Sequence, residues 1–508
     1  MTKGIILILD FGSPYTRLIA QRIRENHVFC RIVPYNISSK EIKLQKPKGI
    51  ILSGRSNKAF SKKPPLPDKA IFRLKIPILG IDYGMQATVK ILGGRVRSAK
   101  VPEFQRCELF IDDTSNLFWQ TPSNITCWMN SSDYVKKLPS GFKKIAHTQN
   151  NPIAAIASPA KNIFGVGFHP EVVTTQRGSQ ILSNFLYKIC GCIGSWTMDS
   201  FINETISNIK KTVGKDKVIL NIAPTLNSFV TALLINKAIG RRLKCVFIDN
   251  GLLCKDEKKL VRKAFERHSR LNLSYIDRSK RFIYSLKGVV KPEEKRTIVK
   301  NLFAKTFLEE VRKARGTEFL AQGTLYPDVG KPPRISLGSE AIQESRKNRR
   351  KLKSKSTSDE PLLRLKPLQP LRDLFKDEVR VVAKELGIPD SIIFRQPFPD
   401  TGLATRIIGE VTPLRLKVLR EAQNCLVEEI KAAGIYEQVW QSFAILLPTG
   451  NIVAIRCIAS TDGITAEWVR LPYEILDKVC RRILHRVKGV KRVVYDISSQ
   501  PPSTIEWE

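Results

Sequence analysis

An acid flanked by two glycines, where an apolar run gives way to a helical pattern, is the first constellation able to do chemistry. It reads Ile76-Pro-Ile-Leu-Gly80-Ile81-Asp82-Tyr83-Gly84-Met85-Gln86. The Gly80-x-Asp82-x-Gly84 spacing predicts a nucleophile elbow, in which flanking glycines permit the strained turn that presents the middle side chain. Further on, Phe164-Gly-Val-Gly-Phe-His169-Pro-Glu171 offers a base with an orienting acid two residues later. Asp82, His169 and Glu171 are therefore the first candidate catalytic group.

A second constellation begins at Val218. The apolar run Val218–Ile222 predicts a buried parallel strand, and Ser228 to Ile239 carries helix-forming apolar spacing. Strand, turn and helix together commonly seat a phosphate, because free N–H groups at a helix N-terminus point at the anion. The next strand, from Leu243, ends in Asp249-Asn-Gly251, and an acid there can hydrogen-bond a ribose hydroxyl. The turn itself lacks glycine, which the close approach of backbone to an anion requires. Pro224 removes a donor N–H and Thr225 is β-branched. A nucleotide-site architecture with impaired chemistry is the expectation.

Length allows two to four domains. No apolar run reaches membrane-spanning length, and the N-terminus enters a strand directly, with no signal peptide. Ten scattered cysteines without a Cys-x-x-Cys pair predict a reduced, cytoplasmic setting and no metal site. Charge is the outlier: Lys+Arg exceed Asp+Glu by 85 − 47 = 38. That excess favours nucleic acid or another polyanion as partner, or it merely covers solvated faces.

The elbow with His-Pro-Glu resembles a class I glutamine amidotransferase domain. With the nucleotide stretch and the C-terminal Arg492-Val-Val-Tyr-Asp-Ile-Ser-Ser-Gln-Pro-Pro-Ser-Thr-Ile-Glu506-Trp-Glu508, the whole chain is similar to glutamine-hydrolysing GMP synthetases. Supporting segments include Pro292-Glu-Glu-Lys-Arg296, Glu318-Phe-Leu-Ala-Gln-Gly-Thr-Leu-Tyr-Pro-Asp-Val329 and Pro370-Leu-Arg-Asp-Leu-Phe-Lys-Asp-Glu-Val-Arg380. The resemblance implies an α/β fold in three modules. Residues 1–195 would be the class I amidotransferase domain, releasing ammonia from glutamine. Residues 200–385 would be an adenine-nucleotide α-hydrolase-like ATP pyrophosphatase domain with a parallel sheet, using ATP and Mg²⁺ to adenylylate XMP. Residues 386–508 would be a small α+β C-terminal domain that forms a homodimer and part of the XMP site, and the region of Trp196 would be a linker.

The departures from the family pattern fall on the chemistry. The resemblance places a nucleophilic cysteine at Asp82, and a carboxylate is a poor nucleophile toward an unactivated amide. The family turn Ser-Gly-Gly-Pro reads Ser53-Gly54-Arg55-Ser56, which removes an oxyanion donor worth about 10²–10³ in rate. The pyrophosphate loop Ser-Gly-Gly-Val-Asp-Ser reads Ala223-Pro224-Thr225-Leu226-Asn227-Ser228, keeping only the final serine. A Lys-Ser-His-His expected between Val329 and Pro370 has no counterpart; Glu344 to Lys355 there holds seven Lys/Arg from Arg346 on. At the substrate end Arg296 and Glu506 match XMP-contacting positions, while the expected lysine is Gln500. The expected loop after Pro448 is cut to Thr449-Gly450-Asn451, and Asp400-Thr401 replace Gly-Pro after Arg395-Gln-Pro-Phe-Pro.

The expectation is a GMP-synthetase-like protein impaired in catalysis. Three alternatives stand beside it: an ammonia-dependent GMP synthetase with an unorthodox loop, a basic nucleic-acid-binding protein on the reused scaffold, and the product of a decaying gene.

Overall fold

Strands apolar on both faces need layers on both sides of their sheet. In the computed structural model, which describes residues 4–54, 64–103, 106–129, 131–266, 271–326, 364–460, 466–500 and 502–507, such strands form the centre of each of two compact units, Met1–Phe201 and Ile202–Glu508.

The first unit carries β1 (Ile6–Asp10), β2 (Cys30–Pro34), β3 (Gly49–Gly54), β4 (Ile78–Asp82), β5 (Arg95–Glu103), β6 (Arg106–Ile111), β7 (Asn124–Trp128), β8 (Ser131–Lys137), β9 (Lys143–His147), β10 (Ala155–Ser158) and β11 (Ile163–Val166). Nine of these make one sheet in the order β2-β1-β3-β4-β11-β10-β9-β6-β7. It is parallel from β2 to β11 and antiparallel beyond. β5 and β8 pair separately as an antiparallel ribbon. The parallel strands present Leu7, Leu9, Ile50, Leu52 and Ile78 to one core, which also receives Tyr83 and Ala87 from the Tyr83–Ile91 helix. That packing fixes the helix against the tip of β4, where Asp82 sits.

The second unit carries β12 (Lys217–Asn221), β13 (Leu243–Asp249), β14 (Asn272–Asp277), β15 (Thr317–Ala321), β16 (Lys366–Leu368), β17 (Gln441–Leu446), β18 (Ile452–Ala459), β19 (Glu467–Trp468) and β20 (Arg492–Tyr495). A parallel five-stranded sheet runs β14-β13-β12-β15-β16. A smaller sheet holds β17, β18 and β19 antiparallel, with β20 added parallel to β18. The first strand lies one residue earlier than its apolar run suggested. Its helix starts at Leu226, because Thr225, extended at φ −120° and ψ 150°, takes the N-cap position.

Trp196 packs 4.7 Å from the Phe29 ring, lies under Arg24, and donates its backbone N–H to the His27 carbonyl. Across residue 385 one apolar core is continuous, joining Ile219, Val246 and Phe307 to Leu419, Ile455 and Val490.

A buried cation helps hold this second unit together. Lys295, fully buried on the Pro292–Lys313 helix, donates to the carbonyls of Ala404 (3.3 Å), Ile407 (2.6 Å) and Gly409 (2.5 Å). Burial, with the Arg415 charge nearby, brings its ammonium down to about 8. Lys295→Met leaves three carbonyls without that donor and is expected to cost about 2–4 kcal/mol. The check is a lower urea midpoint at unchanged slope.

Candidate functional site

The elbow is built as its spacing demands. Asp82 ends β4 at φ +50° and ψ −110°, a strained conformation that L-residues rarely adopt, and the Tyr83–Ile91 helix begins at the next residue. Both glycines are needed for close approach. A methyl at Gly84 would lie 2.0 Å from the Leu52 carbonyl oxygen, and one at Gly80 2.5 Å from the Met85 nitrogen.

His169 and Glu171 reach the same point from the segment after β11. His169 is held by its backbone N–H on Trp128 O (3.0 Å) and by the Thr175 hydroxyl on its own carbonyl (2.7 Å). Its Nδ1 donates to Glu171 Oε1 at 2.7 Å, which turns Nε2 toward Asp82 Oδ2 at 3.7 Å. All three side chains are buried, and the Tyr15 ring lies 4.6 Å from the imidazole. Burial works against the charged imidazole. The Glu171 hydrogen bond and the charges of Glu171 and Asp82 outweigh it, so the His169 pKa lies above its ordinary value. The geometry is that of nucleophile, base and orienting acid. The side chains at these positions are an imidazole between two carboxylates, which favour its protonated form. Residues 55 and 56, of the altered oxyanion turn, lie outside the described residues, although Gly54 is in register with Asp82.

The loop between β12 and the Leu226–Ile239 helix closes on itself. Ala223 donates its N–H to Ser228 Oγ (3.1 Å), and that hydroxyl donates to the Asn221 carbonyl (3.4 Å). Thr225 donates its N–H to the Ala223 carbonyl (2.8 Å), and Pro224 has none to give. Both amides of the 223–225 turn are thus spent inside the loop, leaving the first turn of the helix, Leu226, Asn227 and Ser228, to face any anion.

Asp249 is equally engaged. Its buried carboxylate accepts the Gly251 N–H (2.9 Å) and the Tyr275 hydroxyl (2.7 Å), and it is ion-paired with Lys258. Burial and this carboxylate push the Tyr275 phenol upward, so it stays a donor. Gly251, at φ +72°, passes so close to Ser279 that a methyl there would lie 2.7 Å from its Cβ. The two turn amides and the Asp249 carboxylate thus have partners from within the protein.

At the far end, Glu506 receives two hydrogen bonds from the buried Arg406, both 3.2 Å, and that guanidinium lies 4.3 Å over the Phe443 ring. Gln500 pairs with Ala466 through two backbone bonds of 2.8 and 3.1 Å. Arg296 is half-buried beside Lys295. Since Lys295 grips the carbonyls on either side of Arg406, the Arg296 helix is tied to the segment that holds Glu506. The shortened loop is a tight turn, with Gly450 N–H on Leu447 O at 2.9 Å.

Two stretches of the chain match described families: residues 7–189 match glutamine amidotransferase class-I, and residues 428–507 match the GMP synthase C terminal domain. Over 516 residues, 99% of each chain, the sequence is 45% identical to the GMP synthase [glutamine-hydrolyzing] of Brachyspira hyodysenteriae. It is 43% identical over 520 residues, 100% of each chain, to that of Clostridium perfringens. The chain belongs to the glutamine-hydrolysing GMP synthase family. The protein of the same name from Caldanaerobacter subterraneus subsp. tengcongensis is 45% identical over 518 residues, 100% of this chain and 99% of that one.

For a GMP synthase family member, the structure brings Asp82, His169 and Glu171 together in one group and Ala223 to Ser228 in another. It also supplies residues that sequence reading missed. Thr175 fixes the His169 backbone, Tyr275 and Lys258 occupy Asp249, and Arg406 holds Glu506. None stands in a motif. Lys258 lies nine residues past Asp249 and Arg406 a hundred before Glu506, so only folding shows the pairing. The basic run Arg346–Lys355 lies outside the described residues, and among those described no helix is long and apolar enough to cross a membrane.

Proposed function

We propose that this protein is a GMP-synthase-like pseudoenzyme: a family member in which both reactions of the family, glutamine hydrolysis and ATP-dependent amination of XMP, are impaired. The observation that carries the reading is the carboxylate of Asp82 standing on a preserved elbow, 3.7 Å from His169. A carboxylate that attacked glutamine would form a tetrahedral adduct whose better leaving group is the carboxylate, so the adduct would revert before ammonia left. Glu171 and Asp82 also outweigh burial in favouring the protonated form of His169, and that form cannot accept a proton.

The same reading extends to the second unit. The self-satisfied loop Ala223–Ser228 and the engaged Asp249 argue against tight binding of Mg-ATP, while Arg296 and Glu506 keep elements of an XMP end and Gln500 does not. We assign residues 1–195 to the amidotransferase-like module, 200–385 to the pyrophosphatase-like module and 386–508 to the C-terminal module. On this reading the protein is a cytoplasmic homodimer that retains the architecture of its relatives.

The test is GMP formation from XMP and Mg-ATP, run with glutamine and with ammonium. The expected result is no product from well-folded protein in either case. Product with ammonium alone would restore the pyrophosphatase reading despite Pro224 and Thr225, and product with glutamine would overturn the reading of Asp82.

A further inference from the structure

On β9 of the first unit the basic side chains have acidic partners. Lys143 pairs with Asp113, Lys144 and His147 with Asp112. The β5–β8 ribbon departs from this pattern. Its inward face is apolar, with Val96 and Val135 paired across the strands and packed against Met85, Val89 and Ile156. Alternation along a strand then puts Arg95 and Arg97 outward. Across from them, in register, stand Lys137 and Tyr134.

Arg95, Arg97, Lys136 and Lys137 are all exposed, and the register shift beside Arg95 makes room for Lys136 as an extra cation at the ribbon's end. Arg95 and Lys137 face each other directly, a like-charge cross-strand pair that weakens a ribbon. Among the described residues, none of the four cations has a carboxylate within ion-pair distance. The nearby acid Asp133 cannot serve them. It lies on the inward face, buried, where burial pushes its carboxyl upward and Ser98 donates to it at 3.0 Å. The ribbon thus carries uncompensated positive charge on one face around an aromatic ring.

We propose that the outward face of the β5–β8 ribbon binds the backbone of a single-stranded nucleic acid. Arg95 and Arg97, two residues apart on one strand, meet successive phosphates. Lys137 and Lys136 on the neighbouring strand flank the same track. The half-buried Tyr134, directly opposite Arg97, gives one base a face to stack on, the combination of cationic groove and aromatic platform used for single strands. The anion would also relieve the repulsion between Arg95 and Lys137. This surface does not depend on either candidate catalytic centre, so it stands or falls apart from the pseudoenzyme reading.

The experiment uses the full chain and a labelled uridine oligonucleotide of about twelve nucleotides, followed by fluorescence anisotropy over a range of salt. R95Q/R97Q/K137Q is compared with K210Q/K211Q/K215Q, which removes the same charge from exposed positions elsewhere. The ribbon variant is expected to bind about tenfold or more weakly, with a salt slope shallower by about two, and the control to bind as the parent does. Tyr134→Ala is expected to weaken binding by about tenfold. Thermal melting of each variant confirms that it is folded. Equal weakening by ribbon and control variants would overturn the proposal in favour of diffuse attraction. So would absent binding, or duplex DNA binding as tightly as the single strand with Tyr134→Ala without effect.

Discussion

Asp82→Cys is expected to convert an inert elbow into one that takes a covalent label from a glutamine-shaped diazo ketone, while the parent protein takes none. The backbone is already in place. Asp82 holds φ +50°, and Gly80 and Gly84 make the close approaches that lock the turn. Thr175 and Glu171 hold the imidazole so that Nε2 faces residue 82. Removing the carboxylate also removes one of the charges that raise the His169 pKa, so the imidazole returns toward the neutral base that a thiol requires. Turnover of glutamine should reappear but remain about 10²–10³ below that of an intact site, because Arg55-Ser56 still replaces the family's oxyanion turn. Mass spectrometry of the labelled peptide decides the matter. A folded Asp82→Cys protein that stays unlabelled would show that the elbow no longer admits substrate, whereas a label on Asp82 in the parent would show that the carboxylate itself is a working nucleophile.

Restoring the loop should have the next largest effect. Replacing Ala223-Pro224-Thr225-Leu226-Asn227 by Ser-Gly-Gly-Val-Asp is expected to tighten binding of Mg-ATP by about a hundredfold, measured by titration calorimetry. Two glycines give the turn the conformational freedom to aim its amides outward. The first of them returns an N–H where Pro224 has none. One or two added charge-assisted hydrogen bonds, each worth about 1.5–3 kcal/mol, account for a change of that size. The parent loop has no such donors to give while Ala223 N–H is bound to Ser228 and Thr225 N–H to Ala223. Micromolar binding of Mg-ATP by the parent would show that Leu226 to Ser228 suffice for the phosphates, and would remove half of the pseudoenzyme reading.

Much of the architecture was legible in local pattern. The Gly80-x-Asp82-x-Gly84 spacing announced a strand-to-helix elbow because only glycine tolerates backbone 2.0–2.5 Å from an added methyl, and that constraint is written in residue type. The apolar runs at Val218 and Leu243 became central parallel strands because a segment apolar on both faces has nowhere else to go. The helix after Thr225 began two residues earlier than its apolar spacing suggested, since the cap depends on the dihedral angles of one residue.

What the sequence determined by itself was the identity of the chemical groups: an acid where a thiol would act, a proline where an amide would donate, and an excess of positive charge. Those are properties of residue types and survive any folding. The tertiary structure decided what those groups are bonded to. Asp82 faces a histidine drawn up in pKa, Ser228 reaches back to Ala223 and Asn221, and Lys258 and Tyr275 fill Asp249. It also decided that Lys295, indistinguishable in sequence from dozens of surface lysines, is fully buried under three carbonyls. Hydrogen bonds and ion pairs act over a few ångströms, and residues distant in sequence come within that range only when the sheets assemble.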